Sequence, residues 1–514
     1  MHRRKLPIGI QTFAKIREAD YYYVDKTGFI RQMIDQGGQY FLSRPRRFGK
    51  SLLLDTLAEL FAGNEPLFRG LMIYPDWDWT TRYPVIRFSF GGGVVQSPEA
   101  LECKIWEQLR VNQAALDLTL DETEINSGFA ELIRLARAAF GQRVVVLVDE
   151  YDKPILDNLT DPGIARAVRD GLRNLYSVIK DNEAHIRFAF LTGVSKFSKV
   201  SIFSGLNNLK DLTVDARYSA LCGYTEQDVE TVFAPELDGL DRAEIRRWYN
   251  GYNWMGEAVY NPFDLLLLFD AREFRTWWFE TGTPTFLVEV LTQHGFFTPN
   301  LAQLRADEAL LSAFDVETML PEALLWQTGY LTFTGSRRTG ARLEYTLGYP
   351  NLEVETALND SLVKALIGQP GRVSELTSRL YDVLVSGDFA ALRAHLVSLF
   401  AAIPHHWHTG NPIARYEGYY ASVFYSHLAA LGLDLIAEDV THQGRIDLTL
   451  KFNGRIWLFE FKVVELEPEG RALQQLKERG YADKYRALGQ PIDLIGIEFS
   501  REQRTVVGFT VESA

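Results

Sequence analysis

The sequence predicts an α/β protein built from more than one domain. Three observations lead there. Short apolar runs alternate with helical patterns through the first 215 residues, as in a parallel sheet covered by helices. One of these runs, Val144–Val148, is apolar at every position, as expected of a strand buried on both faces. A second series of strands and helices begins near residue 411, after a long stretch of helical character. The 514 residues suffice for about three domains at roughly 150 residues each.

The elements follow in order. Tyr40–Leu42 reads as a strand, and Ser51–Ala62 as a helix with apolar positions at Leu52, Leu53, Leu57 and Leu60. Pro84–Phe90 is a further strand. Glu131–Phe140 is an amphipathic helix that turns through Gly141–Arg143 into Val144–Val148. Ile186–Leu191 is the next strand, and this first domain spans 1–215. Residues 216–345 are rich in aromatics and helical patterns, and predict a mainly helical subdomain with a small winged-helix element. Residues 346–410 read as a helical connector, closed by the loop Ile403–Pro412. The last domain, 411–514, reads as a helix from Tyr416, strands near 435–440, 445–450 and 455–462, a helix at 471–487, and strands near 492–499 and 504–511.

Composition excludes several classes. Hydrophobic residues make up 46% and charged residues 24%, a globular profile. Two cysteines, Cys103 and Cys222, support neither a disulfide framework nor a four-cysteine zinc site. Both read as buried thiols in a reducing compartment, so the expected location is cytoplasmic. The start MHRRKLPIGIQTF is basic but has no apolar core of a signal peptide. No run of 18 apolar residues exists, so no membrane partner is expected. The net charge of −13 argues against indiscriminate nucleic-acid binding, which needs phosphate neutralisation.

Two constellations carry chemistry. The first is Ser43–Ser51, SRPRRFGKS, between a strand and a helix. Backbone N–H groups converging at a helix N-terminus bind phosphate, a lysine reaches the β/γ-phosphates, and a hydroxyl holds Mg²⁺. Gly49, Lys50 and Ser51 supply these parts. Arg44, Arg46 and Arg47 add positive charge, and Pro45, Phe48 and Leu52 complete the binding segment. The first glycine of the usual pattern is read as replaced at Ser43. The second half is Asp149-Glu150, where the apolar strand ends: Asp149 suits Mg²⁺ through its water shell, and Glu150 suits polarisation of an attacking water. Thr192, at the end of another strand, suits a γ-phosphate sensor and equally a strand-end turn. The expected ligands are ATP and Mg²⁺.

The second constellation is RIDLTLKFNGRIWLFEFK, Arg445–Lys462. Asn453-Gly454 is the preferred pair of a two-residue hairpin turn. With that turn, paired numbers sum to 907, so Asp447 faces Glu460 and Lys462 projects on the same side. Two carboxylates and a lysine fit metal-assisted phosphodiester hydrolysis. Glu417 could add a metal ligand, and Gln475 on the next helix could contact the site. The plain alternative is a salt-bridged hairpin, but Ile456–Phe459 is apolar throughout, and carboxylates in a buried strand are costly without a cation or strong partners. From Asn411 to Ala514 there are 12 Lys+Arg and 15 Asp+Glu, a net of −3, which leaves no obvious DNA-gripping surface. His405, His406 and His408 read as polar loop, and Trp248, Tyr249, Tyr252 and Trp254 as core packing rather than base stacking.

The strings RPRRFGKSLLLDTL, VDEYDKP, LTGVSKFS, FSGLNNLKDLT and YNGYNW, with the early YYYVDKT, resemble the bacterial and archaeal AAA-ATPase-like family, whose members often carry a C-terminal PD-(D/E)XK nuclease-superfamily domain. Asp447…Glu460-Phe461-Lys462 is similar to the motif of that superfamily, with Arg445-Ile446 standing where its proline would be. The resemblance implies a P-loop ATPase core in which an inserted strand separates the two halves of the site, and a restriction-endonuclease-like C-terminal domain. It implies catalytic roles for Asp447, Glu460 and Lys462, and a metal-ligand role for Glu417. The expected activity is an ATPase that gates a Mg²⁺-dependent nuclease. A nucleotide-operated signalling switch with an inactive C-terminal domain is the alternative. Expected partners are nucleic acid, DNA before RNA, and a further copy of the chain.

Overall fold

The computed structural model describes residues 3–196, 202–203, 208–280, 288, 291, 297–307, 320–367, 370–403 and 417–514. The chain divides into two compact units, Met1–Trp278 with Ala306–Tyr345, and Phe279–Arg305 with Thr346–Ala514.

In the first unit, β1 (Gly38–Ser43), β2 (Val85–Ser89), β3 (Val144–Asp149), β4 (Ile186–Gly193) and β5 (Leu209–Asp211) form one sheet, ordered β2-β3-β4-β1-β5. Every neighbouring pair is parallel. Parallel pairing needs crossovers, and helices supply them. Pro98–Ala115, Ile125–Phe140 and Pro162–Asp181 pack on one another, and the first two also lie on β2 and β3. The starts of the first and the third are built locally. The Ser97 hydroxyl accepts the Ala100 N–H and the Asp161 carboxylate accepts those of Gly163 and Ile164, each just before a proline at the first helical position. The helix Lys50–Phe61 packs on β3 and β4. Val144–Val148 is fully buried, as its unbroken apolar pattern requires.

β4 lies between β1 and β3, so one inserted strand separates the basic loop from the acidic strand end. The carboxyl ends of β1 and β4 are in register at Ser43 and Gly193. Ligands of open parallel sheets bind outside such ends.

β6 (Leu304–Asp307), β7 (Thr332–Thr339) and β8 (Arg342–Gly348) come where the chain passes between the units. In the second unit, β9 (Asp434–Thr441), β10 (Gly444–Phe452), β11 (Arg455–Val464), β12 (Ile492–Ser500) and β13 (Val506–Ser513) form a sheet in the order β13-β12-β11-β10-β9. Only β11 and β12 run parallel. One face, with Leu448, Leu450, Trp457, Phe459 and Phe461, packs against Leu352–Ile367, Pro370–Ser386, Phe389–Ala401 and Glu417–Ala429. The stretch expected as a separate connector thus shares its core with this sheet, because the apolar stripes of its helices need a partner. The other face, with Ile456 and Leu458, packs against the helices Arg471–Glu478 and Asp483–Arg486. The single helix expected over 471–487 is interrupted where Gly480 adopts a positive φ of 56°.

Two smaller expectations fall on either side of this outcome. Tyr249, Tyr252 and Trp254 are buried, as core packing requires, and Cys222 is buried. Cys103 is exposed: it lies on the outer face of Pro98–Ala115, whose buried positions are Leu101, Ile105, Leu109 and Asn112. His405, His406 and His408 lie outside the described residues.

Candidate functional site

The loop after β1 is shaped by its own backbone. Arg47 has φ 69° and Gly49 φ 91°, both left-handed. For Arg47 that conformation costs about 1 kcal/mol. Gly49 is the N-cap of Lys50–Phe61 and provides no side-chain cap. The first amides of that helix have no acceptor within it and are open to an anion. Lys50 is buried, and its Nζ donates to the carbonyls of Arg44 (3.0 Å) and Pro45 (2.9 Å). Burial pushes the Lys50 ammonium below its ordinary value, and the charges of Asp149 and Glu150 oppose that shift.

Counting back from Gly49, the first glycine position of the loop pattern is Arg44, not Ser43. Arg44 has no positive φ, so glycine is not required there. Its guanidinium is fully buried and points away from the role expected of it. It donates to the carbonyls of Ser43 (2.9 Å), Thr213 (2.9 Å) and Tyr218 (3.2 Å), and lies 4.0 Å from the ring of Trp254. Burial lowers it to about 10. The Arg44 N–H is also committed, to Gly193 O. Arg44 therefore fastens the loop to the segment behind it, while the side chains of Arg46 and Arg47 are exposed. Phe48 packs edge-on to Tyr252 and Trp254, and the Trp278 indole donates to Arg46 O at 3.1 Å. Pro45 is buried, and Ser51 and Leu52 are half-buried at the helix start.

Across β4, the Asp149 Oδ1 is buried with no hydrogen-bond partner among the described residues. An orphaned carboxylate oxygen fits a cation and its water shell. Glu150 has φ 53°, a second left-handed non-glycine residue in the site. Burial raises its carboxyl above the ordinary value, and Lys50 pulls it back. The Thr192 hydroxyl has another partner than the one expected: it is buried and donates to Leu42 O at 2.8 Å, tying β4 to β1.

The hairpin in the second unit has the register its turn dictates. Leu448 pairs with Phe459 and Phe452 with Arg455. The ladder stops one pair short of Asp447, whose Oδ2 accepts the Phe461 N–H at 2.7 Å. The Asp447 carboxylate thus meets β11 between Glu460 and Lys462. Glu460 is fully buried, and its Oε1 accepts from Lys462 Nζ at 3.1 Å and from the Gln475 amide. Lys462 also donates to Phe461 O at 2.9 Å. Among the described residues, no group of three or more His, Cys, Asp or Glu is placed to hold a metal. Mg²⁺ asks for less, since one or two carboxylates and several waters suffice. Glu417 opens its helix, and its side chain lies outside the described residues.

Residues 7–203 match the family model described as predicted AAA-ATPase, and residues 415–509 that of the PD-(D/E)XK nuclease superfamily. An uncharacterized protein in the vnfD 5′ region of Azotobacter chroococcum mcd 1 is 67% identical over 514 residues, all of both chains. The chain carries a predicted AAA-ATPase-like domain and, at its C-terminal end, a PD-(D/E)XK nuclease-superfamily domain.

Several residues that hold this AAA-ATPase-like architecture together escape a motif reading. Asp152 is fully buried, and its carboxylate accepts from Val194 N (3.2 Å), Ser195 N (2.7 Å) and Ser195 Oγ (2.6 Å). It clamps the segment after Glu150 to the end of β4. Gly193 is required beside it, because a Cβ there would lie 2.3 Å from Asp152 Oδ1 and 2.6 Å from the Tyr151 ring. Asp25-Lys26-Thr27 is a staple. Asp25 accepts from Thr27 N, Thr27 Oγ1 and Met72 N, and Lys26 pairs with Asp228 at 2.7 Å. In the nuclease-superfamily domain, Glu498 accepts the N–H groups of Glu469, Gly470, Arg471 and Ala472 at 2.6–3.4 Å. It thereby anchors the helix that carries Gln475. Gly496 lets that helix approach, since a Cβ there would lie 2.4 Å from Leu473 N.

No helix among the described residues is long and apolar enough to cross a membrane.

Proposed function

We propose that this protein is an ATPase whose nucleotide state gates a Mg²⁺-dependent nuclease-type domain acting on nucleic acid. The observation that carries the reading is the convergence of Asp447, Glu460 and Lys462 on one stretch of a buried strand, in a chain that also sets Lys50 within electrostatic reach of Asp149 and Glu150. In the ATPase half, the loop amides and Lys50 hold the phosphates. Glu150 orients and deprotonates the attacking water, and burial raises its carboxyl, the direction that strengthens a carboxylate base. In the nuclease half, Gln475 and Lys462 fix the Glu460 carboxylate, and the Phe461 N–H fixes that of Asp447. Mg²⁺ held by Asp447 and Glu460 would supply positive charge and a more acidic bound water. Lys462 would orient that water or counter charge on the scissile phosphate. The unpaired cysteines suit a reducing compartment, the cytosol.

The test is a cleavage assay on mixed DNA and RNA with Mg²⁺, with and without ATP, beside Asp447→Ala and Lys50→Ala. Cleavage should vanish with the first variant and lose its nucleotide dependence with the second. Full cleavage by Asp447→Ala would remove the site assignment. The net charge of −3 over 411–514 favours a second reading, a nucleotide-operated switch whose C-terminal domain only recognises a partner. ATP turnover without cleavage of any nucleic acid would select it.

A further inference from the structure

The proposed activity leaves the grip on nucleic acid unexplained, because 411–514 is net acidic. Away from the loop after β1, the first unit offers a local basic feature on an ordered scaffold. β7 and β8 are joined by the two-residue turn Gly340-Ala341 and follow the short helix Pro321–Thr328. The base of this hairpin is anchored: Phe333 and Tyr345 are buried and touch each other, and Phe333 packs on Trp326 of the helix. Beyond the base, residues 334–342 are exposed without interruption. They include Arg337, Arg338 and Arg342, with Ser336 and Thr339 between them. Over 332–348 there are three arginines and one glutamate, a net of +2 in a chain of −13.

Only one of the three arginines is committed. Arg337 pairs with Glu344 across the hairpin at 2.5 Å. Arg338 and Arg342 make no ion pair among the described residues. These two exposed arginines, one on each face of the ribbon because Thr339 stands opposite Arg342 across the turn, contribute nothing to the core. They are suited to anions that come from outside.

We propose that the tip of the β7–β8 hairpin, through Arg338 and Arg342, is a binding arm for the phosphate backbone of double-stranded DNA. The occupant follows from chemistry and shape. Single-strand binders pair a basic track with exposed aromatic platforms, and the aromatic residues of this hairpin, Phe333 and Tyr345, are buried. A two-stranded ribbon fits the major groove of B-form DNA, whereas the deep, narrow major groove of duplex RNA excludes it. Guanidinium and hydroxyl groups without an aromatic wedge position a backbone rather than read bases, so the binding is insensitive to sequence. This inference deepens the nuclease reading, yet binding through the arm stands or falls independently of cleavage.

The test uses the full chain in EDTA, so that binding is measured apart from metal-dependent chemistry. Fluorescence anisotropy is recorded with a 30-base-pair DNA duplex, its single strand, and an RNA duplex of the same sequence, over a range of salt. The DNA duplex should bind most tightly. Arg338→Ala with Arg342→Ala should weaken it roughly 50-fold at 0.1 M salt and reduce the salt slope by about 2, the release of two counterions. Arg338→Lys with Arg342→Lys should restore most of the binding, which separates lost charge from lost folding. Equal binding by the alanine variant, tighter binding of the single strand or of duplex RNA, or no binding of the DNA duplex by the unaltered chain would each overturn the arm. DNA binding that depends on the arm, without cleavage once Mg²⁺ is restored, would keep the arm and remove the nuclease reading.

Discussion

Acidification should loosen the second unit through one pair of side chains. His395, on Phe389–Ala401, and His427, on Glu417–Ala429, are fully buried in the core beneath the C-terminal sheet. Their rings stack at 5.2 Å with 7° between planes, and their Nε2 atoms lie 3.0 Å apart. That distance requires one Nε2–H to donate and the other Nε2 to accept. A first extra proton must go to an Nδ1, and both Nδ1 atoms are buried without a hydrogen-bond partner among the described residues. Burial lowers His395 to about 4, with Arg379 adding to it, and lowers His427 to about 3, with His395 adding to it. In the unfolded chain both return to about 6.5.

The unfolded state therefore binds more protons between those limits, and stability falls as pH falls below 6.5. At pH 5 each imidazole costs about 2 kcal/mol relative to pH 8, or about 4 kcal/mol for the pair. Hydrogen exchange of peptides from Phe389–Ala401, corrected for the intrinsic pH dependence of exchange, reads this directly. The opening free energy should drop by about 4 kcal/mol between pH 8 and pH 5, and by about half as much in His427→Gln, which keeps one titrating ring. Parallel pH curves for the unaltered protein and His427→Gln would refute the argument.

Other outcomes are expected elsewhere. Glu150→Gln should lower ATP turnover at least 100-fold while leaving nucleotide binding intact, measured by phosphate release and by titration calorimetry. Because the Glu150 carboxyl is raised, the acid limb of the turnover profile should lie above the ordinary glutamate value, with activity lost as pH falls through it. Asp152→Ala leaves two amides and a hydroxyl without their acceptor and should cost about 2–4 kcal/mol in denaturant unfolding of the first unit. Glu498→Leu should destabilise the second unit by about 2–3 kcal/mol and slow any cleavage through displacement of Gln475, whereas a lowered melting temperature with unchanged cleavage would separate the helix anchor from the site.

What could be read from the chain alone was local or periodic. Val144–Val148 announced a doubly buried strand because every position is apolar. Asn453-Gly454 set the hairpin register because a two-residue turn leaves the flanking strands one way to pair, and Phe452 does face Arg455. Gly49-Lys50-Ser51 and Asp149-Glu150 are legible because both halves of the candidate site are short contiguous strings. The partners of those strings were decided only by folding. The position of β4 between β1 and β3 is a pairing between segments far apart in sequence, and in the sequence only the family resemblance implies it. Arg44 looked like a phosphate ligand, but carbonyls about 170 residues away claim its guanidinium. Asp152, Glu498 and Cys103 carry no periodic signal: which side chains are buried, and against what, depends on long-range packing that a pattern in one segment does not encode. The sequence thus determined which charged and polar residues stand together in short strings, and the tertiary structure determined which of those groups are committed to the fold and which are not.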